Sequence, residues 1–273
     1  VAESTVPLPY DINTAEGRAS LGISSEAAAI CNDASFAAFR VRPGDDSSCL
    51  NLYKVNQPRI LGAGEEFLER GAFSFAASMA ESDEEKTNPW LLLNRRFDDG
   101  AIPAIGDESA VRWLLHLDIG GDMEITDERG QSRKLRIVAM LSGSVLQSEL
   151  IIDEAVFKNL FPSIGGYSAF LIAANDDAEL TKALERDLSR FGFDAEPTRD
   201  RLTAYMAVQN TYLSTFQTLG GLGLLLGVFG LAAVMMRNIW ERRGELALLR
   251  ALGFRERQLY QISMLEHATL LLA

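Results

Sequence analysis

From Leu202 to Met236 the chain runs thirty-five residues without a charged side chain. The first half of this run is mixed, with Gln, Asn, Thr and Tyr. The second half, Leu219–Met236, has no polar side chain at all. With Phe216–Thr218 it gives a helix of about 31 Å at about 1.5 Å per residue, matching a hydrocarbon core of about 30 Å. Core helices of soluble proteins keep a polar face over such a length, so the pattern predicts a membrane span. Gly220, Gly223, Gly227 and Gly230 recur at steps of three and four and share one helix face. In lipid, small residues let a second helix approach closely, so this face is expected to pack against another helix.

Elsewhere the pattern changes its period. Residues 167–174 read as a strand. Residues 176–192 read as an amphipathic helix with Leu180, Leu184, Leu188 and Phe191 on one face, closed by Gly192. Residues 193–198 supply a second strand, making a β-α-β unit that leads into the long helix. Residues 123–141 read as a hairpin around an Asp-Glu-Arg-Gly turn. Residues 149–162 read as a strand and a short helix ended by Pro162. Residues 112–119 also alternate like a strand. In residues 1–110 only "AAFRVR" and "SCLNLYKV", around the turn "PGDDS", stand out as strands. The fold class expected is an α+β domain with mixed sheets, then a long stalk and transmembrane α-helix, then a short cytoplasmic helix. The boundaries expected are 1–200 for the outer domain, 201–236 for stalk and span, 237–258 for the cytoplasmic segment and 259–273 for the start of a second span.

Charge fixes the orientation. The net charge of −12 hides an asymmetry, because residues 237–257 carry six arginines against three glutamates. The positive-inside rule puts that end in the cytoplasm and residues 1–200 outside it. Tyr212 and Trp240 stand where interface anchors belong. An acidic body argues against nucleic acid as a partner. The chain opens without Met and stops inside the apolar run "LLLA", so it reads as a piece of a longer protein.

Few motifs carry chemistry. There is no Gly-Lys pair for a phosphate loop, no HExxH, no GxSxG and no CxxC. His116 falls within an apolar stretch and reads as a structural histidine. Glu266 and His267 open the second apolar run, as a functional intramembrane acid or as a snorkelling pair. Cys31 and Cys49 are the only cysteines, and in an extracytoplasmic domain such a pair is expected to bridge. "ERRGELALLRALGF" reads as a helix with Leu246, Leu249 and Leu252 near one face and Gly253 as its C-terminal stop. Its exposed leucines suggest docking to a cytoplasmic partner.

This segment resembles the FtsX-like and MacB-type permeases of ABC transporters. The residues that carry the resemblance are Glu241, Arg242, Arg243, Glu245, Leu246, Arg250, Ala251, Gly253 and Glu266. More loosely, Gly121-Asp122, "KLRIVAML" and the β-α-β unit look like that family's periplasmic core. The resemblance implies a permease subunit in the bacterial inner membrane, working as one of two permease units with a cytoplasmic ABC ATPase. It implies no catalysis by this chain, with ATP bound by the partner and no cofactor here. It also implies motion passed along the stalk to the outer domain. Arg242, Arg243, Glu245, Leu246, Leu249, Arg250, Leu252 and Gly253 are the coupling residues it points to. A membrane-bound sensor with an outer ligand-binding domain is the alternative. An anchored hydrolase is disfavoured, since no nucleophile and base stand together in the sequence.

Overall fold

A computed structural model describes residues 1–44, 57–147, 149–174 and 177–272. It divides into two compact units, Val1–Leu202 and Thr203–Ala273. In the first unit ten strands form one sheet. They are β1 (Ala2–Leu8), β2 (Ser35–Arg42), β3 (Arg59–Ala63), β4 (Phe75–Ser78), β5 (Ile102–Asp107), β6 (Asp122–Thr126), β7 (Ser132–Leu141), β8 (Glu149–Asp153), β9 (Tyr167–Ala173) and β10 (Phe193–Ala195). Their order is β10-β1-β9-β2-β3-β8-β5-β7-β4, with β6 also paired to β7. The pairs β3/β8 and β5/β7 are parallel, and the other pairs are antiparallel.

The middle strands are apolar without a break because both faces of the sheet are covered. In β3, Ile60 faces one core and Leu61 the other. In β8, Leu150 and Ile152 join Ile60, while Ile151 joins Leu61. The core that holds Leu61 is built on aromatic rings. Trp90 meets Phe67, Phe73 and Phe75 edge to face, with centroids at 4.8, 5.8 and 5.5 Å. Its indole Nε1 donates to the Ala72 carbonyl at 2.6 Å.

Helices α1 (Ala15–Ser20), α2 (Ser25–Cys31), α3 (Glu65–Glu69), α4 (Asp83–Thr87), α5 (Glu154–Leu160) and α6 (Asp177–Asp187) cover the sheet. The expected β-α-β unit is present as β9, α6 and β10, and Leu180, Leu184 and Leu188 are buried. Its two strands are not neighbours, however. β1 lies between them, antiparallel to both. The hairpin forms as read, with Asp127 Oδ1 accepting from the backbone N–H of Arg129 and Gln131 at 2.9 and 2.8 Å.

One reading is corrected. Residues 112–119 are not a strand. Ala110–Leu114 is one turn of π-helix, followed by a loop in which His116 has φ of 54°. Leu115, Leu117 and Ile119 pack on the core while His116 and Asp118 face solvent. The loop therefore alternates apolar and polar as a strand would. The expected Cys31–Cys49 bridge falls on Cys49, outside the described residues, while Cys31 itself is buried in the core that holds Ala27 and Leu184. Burial pushes that thiol above the usual range, the nearby Arg18 acting the other way. Cys49, "SCLNLYKV" and most of the "PGDDS" turn lie outside the described residues.

Gly166 has φ of 78°, and an added Cβ would sit 2.6 Å from the Leu8 carbonyl oxygen. Gly143 has φ of 59° with open space around it. Gly143→Ala is expected to cost about 1–2 kcal/mol, the left-handed penalty alone. Gly166→Ala adds a backbone clash at the join of β1 and β9 and is expected to cost more. Urea unfolding of the two variants checks the difference. Equal losses would show that the Leu8 backbone yields freely.

Candidate functional site

The stalk begins at the edge of the sheet. Helix α7 (Thr198–Glu241) is 44 residues long, about 66 Å at about 1.5 Å per residue. Its first turn is tied to β1 and β3. Arg201 Nη2 lies 2.7 Å from Glu3 Oε1, and Arg59 Nη2 lies 3.3 Å from the same oxygen. Glu149, buried on β8, faces Arg59 at 3.7 Å. Burial pushes the Glu3 carboxyl up, but its hydrogen bond to Arg201 and the charge of Arg59 leave it below the ordinary range. Leu202 completes the join by packing on the core that holds Trp90.

From Thr211 to Glu241 the helix is long and apolar enough to cross a membrane. Every described side chain from Thr211 to Val234 is exposed, so among the described residues nothing covers this apolar surface. The threonine and serine hydroxyls at its start are satisfied within the helix. The hydroxyls of Thr211, Thr215 and Thr218 donate to the Ala207, Thr211 and Ser214 carbonyls at 2.7, 2.8 and 2.7 Å. This back-bonding lowers the cost of moving a hydroxyl out of water. Tyr212 and Trp240 are exposed and stand about 42 Å apart along the helix, close to the roughly 40–45 Å of bilayer with its headgroups. At Gly220, Gly223, Gly227 and Gly230 an added Cβ would meet nothing, so that face is smooth and open.

Beyond α7, Arg242 opens α8 (Arg243–Ala251), and after a turn comes α9 (Glu256–Leu272). The stop at Gly253 is a Schellman turn. Gly253, with φ of 97°, donates its N–H to the Arg250 carbonyl at 3.1 Å, and Phe254 donates to Leu249 at 3.2 Å. Two of the orphan carbonyls of the last helical turn are thereby used. A residue with a Cβ resists that φ, which is why glycine stands there. On the far side, the Gln258 side chain accepts from the Arg255 N–H at 2.9 Å and starts α9.

Of the expected coupling residues, Leu246 and Leu249 are half-buried, while Leu252 is 71% exposed. Leu248, which the sequence reading passed over, is 64% exposed. It lies next to Leu252 on the helix surface, four residues back, and that spacing could have pointed to it. Arg242 pairs with Glu245 at 3.0 Å, and Arg250 reaches Glu256 of α9 at 2.8 Å. Arg243 is exposed on the first turn. The side chains of Glu266 and His267 lie outside what the structure describes.

Comparison with known proteins points to the same segment. The family described as FtsX-like permease C-terminal matches residues 218–273. Among curated proteins none matches the chain. Among solved structures, the periplasmic region of MacB from Actinobacillus actinomycetemcomitans aligns at 13% identity with a TM-score of 0.33. That alignment covers 64% of this chain and 76% of the MacB region. The extracellular domain of the noncanonic ABC-type transporter YknZ from Gram-positive bacteria aligns at 10% identity with a TM-score of 0.31. It covers 72% of this chain and all of that domain. Residues 218–273 carry the match to the FtsX-like permeases, a family of inner-membrane proteins with a periplasmic domain, and the apolar helix that opens this stretch fits a membrane span.

Proposed function

We propose that the chain passes the motion of a cytoplasmic ABC ATPase through the membrane to its outer domain, as one of two permease units. ATP is bound and hydrolysed by the partner, and this chain holds no cofactor. One observation carries the reading: a nine-residue helix with an exposed leucine, Leu248, on it and a second, Leu252, at its C-cap, set between two longer helices and closed by its own glycine turn. Helices this short are marginal in water, and an exposed apolar face on one suits a groove in a partner. Arg242 and Glu245 flank that face, while Arg243 and Arg250 stand on the far side of the helix. Leu246 and Leu249 hold the helix, and Gly253 turns the chain back toward the membrane. The open face at Gly220, Gly223, Gly227 and Gly230 is the surface for a second membrane helix. α7 supplies the lever, since it is tied to the sheet at Arg201 and continues as helix to Glu241.

The test uses the full-length subunit co-expressed with a candidate P-loop ATPase from the same genome. The two are expected to purify together, and ATP turnover in vesicles is expected to differ from that of the ATPase alone. Single cysteines at Ser82 and Arg255 in a Cys-free background report the topology. Outside reagent is expected to label Ser82→Cys and to spare Arg255→Cys. A subunit that purifies alone, or the reverse labelling, would overturn the proposal.

A further inference from the structure

The arginines of residues 237–257 fall into two sets. Arg237 Nε lies 2.8 Å from Glu241 Oε1, Arg242 Nε 3.0 Å from Glu245 Oε2, and Arg250 Nη2 2.8 Å from Glu256 Oε1. Each glutamate of the segment is thus taken by one arginine. Arg243, Arg255 and Arg257 are exposed, and among the described residues none of them has an ion pair.

We propose that Arg243, Arg255 and Arg257 bind the phosphodiester headgroups of anionic phospholipids on the cytoplasmic leaflet. The inference rests on the membrane reading of α7 and goes beyond the docking of an ATPase.

Three observations lead to this ligand. First, all three guanidiniums lie close in sequence to segments bound for lipid. Arg243 is two residues past the end of α7, and Arg255 and Arg257 flank the first residue of α9. Second, at about 100° per residue Arg243 stands about 140° round α8 from Leu248 and about 180° from Leu252. A helix lying along the membrane surface can therefore turn its leucines to a protein and Arg243 to the headgroups. Third, Arg255 and Arg257 sit at the start of the 17-residue helix α9, where the helix dipole disfavours a cation. The fold gains nothing from positive charge there, whereas a phosphate brought to that place meets both the guanidiniums and the helix N-terminus. Arginine suits such a ligand, because its planar fork takes two phosphate oxygens at once.

The full-length subunit in neutral detergent is titrated with phosphatidylglycerol, with phosphatidylcholine and with inorganic phosphate, and bound molecules are counted by native mass spectrometry. A basic residue near the surface contributes about fivefold in affinity for anionic lipid. Arg243→Gln/Arg255→Gln/Arg257→Gln is therefore expected to need at least about tenfold more phosphatidylglycerol for half-saturation. The matching variant Arg237→Gln/Arg242→Gln/Arg250→Gln removes the same number of charges and is expected to lose less, under about threefold. Equal losses in the two variants would show that net charge alone acts, and would overturn the site. So would equal affinity for phosphatidylcholine, or inorganic phosphate binding as tightly and competing with the lipid. Membrane placement is judged separately, by whether the subunit stays with membranes in alkaline carbonate. Failure there would remove the span itself, while a subunit that stays but shows no lipid preference would remove only this site.

Discussion

Trp90→Ala is expected to destabilise the outer unit by about 3–5 kcal/mol, the usual cost of emptying a large aromatic site. Trp90 is fully buried and serves as the hub of four rings, with Phe67 linking it to Phe39 at 4.9 Å. The surrounding strands cannot collapse inward, because β5 and β7 are locked on both sides by neighbouring strands. Loss of the indole also leaves the Ala72 carbonyl without its donor at 2.6 Å, adding to the cost. Trp90→Phe keeps most of the volume and loses only that hydrogen bond, so it is expected to cost much less. Denaturant unfolding of the full-length subunit, followed by a signal from the outer unit, checks both. Similar losses in the two variants would mean that the hydrogen bond, and not the packing, dominates.

The second large effect lies at the other end of the chain. Leu248→Asp/Leu252→Asp is expected to abolish co-purification with the ATPase and to leave ATP turnover at the rate of the free ATPase. A buried leucine in a partner's groove is worth about 2 kcal/mol or more when it acts as a hot spot, so the pair lowers affinity by well over about thirtyfold. Both side chains are exposed, so α8 and its Schellman turn are expected to survive. Leu249→Asp is a poorer probe, because Leu249 is half-buried and the change would also strike the packing of α8. Circular dichroism guards against loss of helix. Normal coupling in the double variant would end the docking idea.

The two ends of the molecule differ in how far sequence alone could reach. α7, the arginine flank and the glycine stop are local features, written in composition and spacing, and each was legible. So was α6, whose leucines repeat at four residues. The sheet was legible only where partners are close in sequence, as in the β6–β7 hairpin. β3 pairs with β8 and β5 with β7 in parallel, across distances that no periodicity records. β4 and β10 are too short to show a period. The loop after β5 misled for a physical reason, since packing every second residue against a core gives the same pattern in a loop as in a strand. The segment 237–258 itself was read from residue types, but the division of its arginines into paired and unpaired could not be. That division depends on which glutamate each guanidinium reaches.

The position of β1 between β9 and β10 bears on how the protein is made. The sheet's far edge joins residues at the start of the chain to residues about 190 positions later, with Ala2 opposite Ala195 and the Val1 carbonyl accepting from Glu196. Contacts that span such a distance form late and slow the folding of a domain. During synthesis β1 has to wait, unpaired on both sides, until nearly the whole outer unit has been translated. The residue that completes its pairing, Ala195, is followed three positions later by the first residue of α7. Closure of the sheet and emergence of the stalk are thus consecutive events on the ribosome.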